Sequence, residues 1–159
     1  GLGGGGGGGG SGEEDQSTAS SSSSSTGGDM DVELAKLLRA CKAGDCAAVT
    51  RSLQGREDVL LNAQDRIYGE SAIMIACFNS LDVTRLLLHI PSIDVNLTDK
   101  FGSSPLHFAA QAGRHGEATV ELLLENGADV AAVDGHGRTP YEVAFGAQRT
   151  EVASLLLLH

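Results

Sequence analysis

The sequence contains no tryptophan and only four phenylalanines and two tyrosines, so a folded core must be built mainly from aliphatic side chains. Basic residues are also few. Eleven Lys and Arg stand against 21 Asp and Glu, which leaves a formal net charge of -10. Contacts to phosphate groups need clustered Lys and Arg, and no basic stripe is present. The composition therefore argues against a nucleic acid or an anionic membrane as the partner, and it favours a basic protein surface.

Cysteine is scarce as well, with Cys41, Cys46 and Cys77 as the only three. The odd count and the lack of a Cys-x-x-Cys pair argue against a disulfide framework and a zinc site. They indicate a reducing compartment, the cytoplasm or the nucleus. The histidines lie without ligand spacing, so no metal and no cofactor is expected. No apolar run approaches the roughly 18 residues of a membrane span, and the first residues do not resemble a signal peptide.

Residues 1–28 consist almost entirely of glycine and serine, with one acidic patch. Such a segment cannot bury enough apolar surface to offset the entropy lost on ordering. The sequence therefore predicts a disordered tail over residues 1–28. Residues 29–159 have a different composition, rich in Leu, Val and Ala, and are predicted to form one folded domain.

The predicted domain contains internal repeats. Small residues recur at Ala40, Ala76, Ala109 and Ala144, with spacings of 36, 33 and 35 residues. A Val- and Leu-rich segment follows each alanine, and turn-rich stretches such as "VNLTDKFG" separate the units. A unit of this length cannot bury its apolar face alone, so the units must stack. The predicted units are 31–64, 65–98, 99–133 and 134–159.

The third unit carries the clearest pattern. Its segments "DKFGSSPLHFAAQAG" and "VELLLENGADV" resemble the ankyrin repeat nearly throughout. The fourth unit keeps Thr-Pro but departs at Tyr141 and Glu142, and the second has Ala72 and Met74 in place of Pro and His. The resemblance covers residues 31–159. It implies an all-α repeat solenoid of about four units, each with two helices and a β-hairpin loop, that binds proteins without catalysis.

The resemblance also explains the order of residues at the start of each first helix. Ser104 and Thr139 are placed to cap these helices, and Pro105 and Pro140 suit the first turn, where a missing N–H costs nothing. His107 is expected to hydrogen-bond backbone in the neighbouring hairpin. No Gly-x-Ser-x-Gly elbow and no phosphate-loop motif accompany it. The sequence therefore predicts that the protein is not an enzyme.

The unit lengths and the chain end depart from the regular pattern. Residues 114–119 hold about two residues more than the pattern has between the helices. The second unit is about one residue short between its alanine and Val83, so we expect its first helix to be brief. The chain ends in four consecutive leucines, and at least one of them should face outward because four residues span more than half a helix turn. Cys41 and Cys77 follow the repeated alanines and are expected to be buried packing residues.

Position by position, the resemblance implies a binding surface made of hairpin tips and the exposed side of the first helices. The predicted partner-binding residues are Arg66, Ile67, Tyr68, Phe78, Asn79, Lys100, Phe101, Gln111 and His136. Gly135 and Ala112 occupy further positions of the same surface. Tyr68, Phe78 and Phe101 are candidate aromatic anchors. Alternatively, Tyr68 and Phe101 lean onto neighbouring tips.

Three functions are compatible with this resemblance. The first is a scaffold that binds a partner protein, either one with a basic surface or a kinase. The second is a regulator similar to the four-repeat ankyrin inhibitors of cyclin-dependent kinases, which the expected brief helix favours and Phe108 disfavours, because those inhibitors carry an acidic residue there. The third is an ankyrin module of a larger enzyme or channel. A monomer is expected.

Asn96 is a candidate modification site. The segment "LLLHIPSIDVN" resembles the context of ankyrin asparagines that are hydroxylated, with Leu88 eight residues before Asn96 and Asp94 two residues before it. The alternative is that Asn96 simply stabilises its hairpin.

Overall fold

The computed structural model describes residues 21–113 and 115–159. The chain divides into two units, Gly1–Glu33 and Leu34–His159. Helix α1 (Ser21–Ala43) begins in the first unit and ends in the second. No helix of the described residues is both long enough and apolar enough to span a membrane.

The N-terminal helix begins earlier than the composition suggests. Disorder is predicted through residue 28, whereas residues 21–28 belong to α1. A segment rich in glycine and serine cannot form a core of its own, but it can still extend a helix that the following residues form. Extending a helix avoids the cost of forming a new nucleus, so serines can continue the helix of the Leu-rich turns that follow. Residues 1–20 of the predicted tail lie outside the described residues.

The compact unit Leu34–His159 consists of paired helices. These are α2 (Cys46–Leu53), α3 (Glu57–Leu60), α4 (Ala72–Asn79), α5 (Leu81–Leu88), α6 (Pro105–Gln111), α7 (Gly116–Glu125), α8 (Pro140–Gly146) and α9 (Thr150–Leu157). Helix α6 packs against α4 and α8, and this row forms an inner layer. Helices α2, α5, α7 and α9 pack in sequence as an outer layer. The predicted all-α solenoid is confirmed, and the expected β-hairpin loops are turns without strands across the described residues.

The repeated alanines occupy equivalent interior positions. Ala76, Ala109 and Ala144 each have no exposed surface. An alanine methyl group lets neighbouring backbones approach closely, and larger side chains such as Leu106 and Leu123 fill the remaining interior space. Stacking of the units therefore buries the apolar face that no single unit could bury, as the sequence predicts.

Two cysteines contribute to the same interior. Cys41 and Cys77 are buried, as predicted from their positions. Burial, together with the nearby Cys46, raises the pKa of the Cys41 thiol to about 12. Burial also raises the pKa of Cys77, and a hydrogen bond with Thr84 offsets this only in part. Both thiols therefore stay protonated at neutral pH and act as small apolar side chains.

The expectation of a brief first helix in the second repeat is wrong. Helix α4 spans eight residues, one more than α6 or α8. Ser80 ends α4, and its hydroxyl accepts a hydrogen bond from the N–H of Val83 at 3.3 Å, which caps α5. The second repeat is therefore one residue shorter in the turn between α4 and α5, because Ser80 alone ends one helix and caps the next.

The extra residues of the third repeat lie mainly in its second helix. Helix α7 has ten residues, whereas α5 and α9 have eight. At the chain end, Leu156 is buried while Leu157 and Leu158 are exposed, which confirms that the leucine run cannot be covered completely. Phe145 is exposed as well.

Candidate functional site

The buried histidine of the third repeat joins two repeats. Its Nδ1 atom accepts a hydrogen bond from the N–H of Ser104 at 3.1 Å and lies 2.9 Å from the Ser104 hydroxyl. Because Nδ1 is an acceptor, the proton is on Nε2, which donates to the carbonyl of Arg138 at 2.9 Å. The predicted bond from His107 to the neighbouring hairpin is therefore present. The ring is buried and both nitrogens are bonded, so His107 is a structural residue.

The first helices of the other repeats begin with different hydrogen bonds. In the fourth, the Thr139 hydroxyl accepts from the N–H of Glu142 at 3.3 Å, and the Glu142 carboxylate accepts from the N–H of Thr139 at 2.8 Å. In the second, the N–H of Ser71 points to the Met74 sulfur at 3.4 Å. The buried Ser71 hydroxyl has no hydrogen-bond partner among the described residues.

Aspartates close the hairpins that connect the repeats. The Asp99 carboxylate accepts hydrogen bonds from the N–H groups of Phe101 and Ser103, both at 2.9 Å. Asp65 and Asp134 hold their own hairpins in the same way. The hairpin shape thus comes from local side-chain hydrogen bonds to the backbone.

Backbone hydrogen bonds align the hairpin tips. The N–H of Gly135 donates to the carbonyl of Phe101 at 2.7 Å, and that of Lys100 donates to the carbonyl of Tyr68 at 2.9 Å. Gly102 has a φ of +79°, and a Cβ atom there would lie 2.7 Å from the Gly135 nitrogen. Glycine is required at this position because no side chain fits between adjacent tips.

The predicted tip residues fall into two groups. Ile67, Tyr68 and Phe101 are exposed and form, with the exposed His136, a surface that we call the tip row. Lys100 instead donates through Nζ to the carbonyl of Arg66, so that side chain joins two tips. About half of each Tyr68 and Phe101 side chain stays exposed (51% and 56%), and the two neighbouring tips are joined through backbone groups.

The predicted residues of the first helices meet in a cleft that we call the groove. Its volume is about 390 Å³, and it is formed by the end of α1, by α4 and by α6. Its lining residues are Lys42, Glu70, Met74, Ile75, Phe78, Asn79, Phe108 and Gln111. The structure therefore brings Phe78, Asn79 and Gln111 together. The prediction that Ala112 belongs to this surface is wrong, because Ala112 is fully buried at the end of α6.

The sequence contains a spacing that predicts most groove residues and that is not part of the ankyrin pattern. Lys42, Phe78 and Gln111 each stand two positions after the buried alanine of their unit. Ile75 and Phe108 precede Phe78 and Gln111 by three residues, which places each pair on one helix face. Aligning these two positions across the units would have predicted most of the groove. Glu70 belongs to a hairpin and has no such register.

The groove contains one carboxylate in an unfavourable environment. Glu70 is half-buried, and burial is the largest cause that raises the pKa of its carboxyl group. The neighbouring Asp65 and Asp99 raise this pKa further, and Lys42 lowers it by less. Glu70 therefore lies in a region where nearby negative charge outweighs nearby positive charge.

Asn96 connects two loops. Its side-chain amide donates to the carbonyl of Gly127 at 3.1 Å, and its side-chain oxygen accepts from the N–H of Asp129 at 2.9 Å. Asn62 makes the equivalent bridge one repeat earlier. The side chain of Asn96 therefore links its own loop to the loop of the next repeat, and its hydroxylation stays a prediction. Within residues 21–113 and 115–159, no three His, Cys, Asp or Glu side chains form a possible metal site.

Stacked helix pairs with an inner groove and a row of aligned tips define a helical repeat domain of the type that presents a continuous surface. The chain belongs to the ankyrin repeat family. A family model described as ankyrin repeats in three copies matches residues 37–134 and 79–159.

Similar proteins share parts of this domain. The chain is 33% identical over 125 residues to Zinc finger CCCH domain-containing protein 24 of Oryza sativa subsp. japonica, which covers 72% of this chain and 16% of that protein. It is 30% identical over 124 residues to SMC5-SMC6 complex localization factor protein 1 of Homo sapiens, covering 76% and 11%. It is 48% identical over 58 residues to Rabankyrin-5 of Mus musculus, covering 36% and 5%. The chain thus spans less than a fifth of each of these relatives.

Proposed function

We propose that the protein is a non-catalytic scaffold that binds a partner protein through the groove and the tip row. The observation that carries this proposal is Phe78, which is 48% exposed over a cleft built from three consecutive repeats. The equivalent positions hold Lys42 and Gln111, so stacking does not require an aromatic residue there. A half-exposed aromatic side chain in a cleft is a typical anchor for a partner.

The tip row extends this surface. Ile67, Tyr68 and Phe101 expose apolar side chains on rigid backbone, because aspartates and inter-tip hydrogen bonds hold each hairpin. A partner that binds here meets a surface that is already ordered, which limits the entropy lost on association. The two surfaces together offer aromatic anchors within a polar rim, as protein interfaces commonly do.

The proposal is tested by affinity purification followed by mass spectrometry. Wild type is compared with Phe78→Ala and with the double variant Tyr68→Ala, Phe101→Ala. We expect both variants to lose proteins that the wild type recovers. The matched control is Phe145→Ala, which removes a more exposed phenylalanine (65% against 48% for Phe78) that stacks on Tyr141 outside the groove. Equal recovery by all four baits contradicts the proposed surface.

The kinase-inhibitor alternative has lost its structural support. It was based on four repeats, on the length and apolar pattern of the second repeat and on a brief first helix there. The helix α4 instead spans a full eight residues, and the remaining features do not distinguish a kinase inhibitor from other ankyrin proteins. We therefore do not propose it. The third alternative, a module of a larger enzyme or channel, is favoured by the small share of each relative that the chain spans. Sequencing the complete open reading frame tests it, since this alternative requires a catalytic or channel domain in the same frame.

Two further properties belong to the proposed scaffold. We propose a monomer in the cytoplasm or the nucleus, which light scattering and fluorescence imaging of the tagged protein test. We also propose hydroxylation of Asn96, whose exposed side chain lies in a loop between repeats. The tryptic peptide from cells grown in oxygen should then gain the mass of one oxygen atom. A peptide that never gains this mass contradicts the modification.

A further inference from the structure

We propose that the groove takes a lysine or arginine side chain of the partner, with its charged end at Glu70 and its aliphatic stem against Phe78 and Phe108. The inference rests on the proposed function and names the chemistry of the occupant. It commits to a peptide segment of a partner protein that carries one exposed basic residue.

The shape and lining of the groove fit a long side chain with an apolar stem and a polar end. Ile75, Phe78 and Phe108 supply apolar surface from two adjacent helices, and Glu70 lies in the hairpin that precedes α4. The cleft volume of about 390 Å³ is large enough for one such side chain and part of its backbone. Aromatic rings beside a carboxylate attract organic cations through both the ring face and the charge.

The charges of the groove favour a cation over other occupants. Asp65 and Asp99 each raise the pKa of the Glu70 carboxyl group by more than Lys42 lowers it, so these two neighbouring carboxylates outweigh the lysine of the groove at this position. Both aspartates already accept backbone hydrogen bonds. Glu70 accepts none from the described residues through its carboxylate, so it can bind a donor from outside.

Other occupants are less favourable for stated reasons. A purely apolar side chain would cover Glu70 without giving it a hydrogen bond, and burying an unpaired carboxylate is costly. An acidic side chain would approach the carboxylate of Glu70, on which Asp65 and Asp99 act more strongly than Lys42, the basic residue among the described residues that line the groove. The formal net charge of -10 also attracts a basic segment at long range.

A peptide selection tests the inference. Random dodecapeptides displayed on phage are selected on the full chain, and the recovered sequences are synthesised and titrated by calorimetry. We expect them to share a Lys or Arg, and we expect its replacement by Gln to weaken binding about tenfold. The substitution Glu70→Gln should weaken binding by a similar factor, because it removes the charge and keeps the size. Raising the salt concentration from about 0.1 M to about 0.5 M should weaken wild-type binding more than that of the variant.

The matched control is Glu121→Gln, which removes the same charge from an exposed position on α7 and should change binding less than about twofold. Thermal unfolding shows whether each variant stays folded. Phe78→Ala separates the two proposals. If it weakens binding while Glu70→Gln does not, the groove binds peptides and the cation site is overturned. If neither variant weakens binding, or no peptide is recovered, both the cation site and the groove are overturned.

Discussion

The second and third repeats each stack on a buried alanine at the equivalent position, Ala76 and Ala109, but they differ in how their first helices begin. In the third, His107 bonds Ser104 on one side and the next hairpin on the other. In the second, Met74 replaces that histidine, fills the interior and leaves the Ser71 hydroxyl without a partner among the described residues. The second repeat thus relies on apolar burial where the third uses a polar link between repeats.

The difference continues on the surface. The second repeat carries Phe78 in the groove, and the third has Gln111 at the equivalent position. A repeat that lacks both the Pro and the His of the family pattern therefore supplies the candidate anchor. This comparison teaches that stacking depends on a few small and aliphatic positions, which leaves the remaining positions of a repeat free to vary for binding.

The largest expected effect concerns the feature that both repeats share. Ala76→Leu and Ala109→Leu each insert a side chain into space with no exposed surface, so each should lower the free energy of unfolding by about 3 kcal/mol. Urea denaturation followed by circular dichroism measures this. The exposed Ala43→Leu is the control, with little change expected. A large loss in one repeat and none in the other would break the equivalence of the two positions.

The histidine link should have the next largest effect. His107→Met copies the second repeat into the third, keeps much of the volume and removes the bonds to Ser104 and Arg138. We expect a loss of about 2 kcal/mol, because a buried N–H and a carbonyl lose their partner. Denaturation measures the loss, and His136→Met at an exposed tip is the control. An unchanged stability would show that the polar link is dispensable.

The hairpin that His107 joins should respond to acid. Burial opposes ionisation of the Asp134 carboxyl group. The backbone N–H groups of Arg138 and His136 donate to this carboxylate, and a guanidinium nitrogen of Arg138 lies 2.9 Å from its Oδ2 atom. These contacts outweigh burial and lower the pKa of Asp134 to about 2. Ionised Asp134 therefore stabilises the fold at pH values above about 4, the ordinary pKa of an aspartate. This stabilisation is lost as the pH falls from about 4 to about 2. We expect about 1 kcal/mol, less than the full shift implies, because Arg138 is half-exposed and screened by solvent.

Stability curves of wild type and Asp134→Asn between pH 7 and pH 2 measure this term. The wild type should lose its advantage over the variant in the acid range. A constant difference between the two proteins would contradict the lowered pKa of Asp134.

The reverse exchange should have a smaller effect. Met74→His gives the Ser71 hydroxyl a partner and offers a second hydrogen bond to the hairpin of the third repeat. We expect a gain of about 0.5 kcal/mol, because the new bonds only slightly exceed the lost burial of Met74. Urea denaturation of the single variant Met74→His and of the double variant Met74→His, Ser71→Ala measures this gain. If the second substitution leaves the gain intact, the Ser71 hydroxyl is not its source.

The smallest effect on stability is expected at the surface. Phe78→Ala and Gln111→Ala should each change the free energy of unfolding by less than about 0.5 kcal/mol, since neither residue is needed for stacking. Binding of a selected peptide should fall strongly for Phe78→Ala and weakly for Gln111→Ala. Equal effects of the two variants on binding would show that the groove does not depend on an aromatic anchor.

Local chemistry explains what could be predicted from the chain alone. The spacing of the alanines defined the repeats, Ser104 and Thr139 marked helix starts, and His107 was assigned its bond to a hairpin. Each depends on residues close in sequence or on a family pattern that recurs. The length of α4 was missed because one serine, Ser80, serves both helix ends, a double role that a residue count does not reveal.

The membership of the groove depended on the packing of distant segments. Lys42, Glu70 and Phe108 come from three repeats and are brought together only when the units stack. Sequence periodicity decides which side of a helix is apolar, because that follows from 3.6 residues per turn. The charge balance around Glu70 was decided by tertiary structure, because it depends on how closely Asp65, Asp99 and Lys42 approach once adjacent hairpins and helices are aligned.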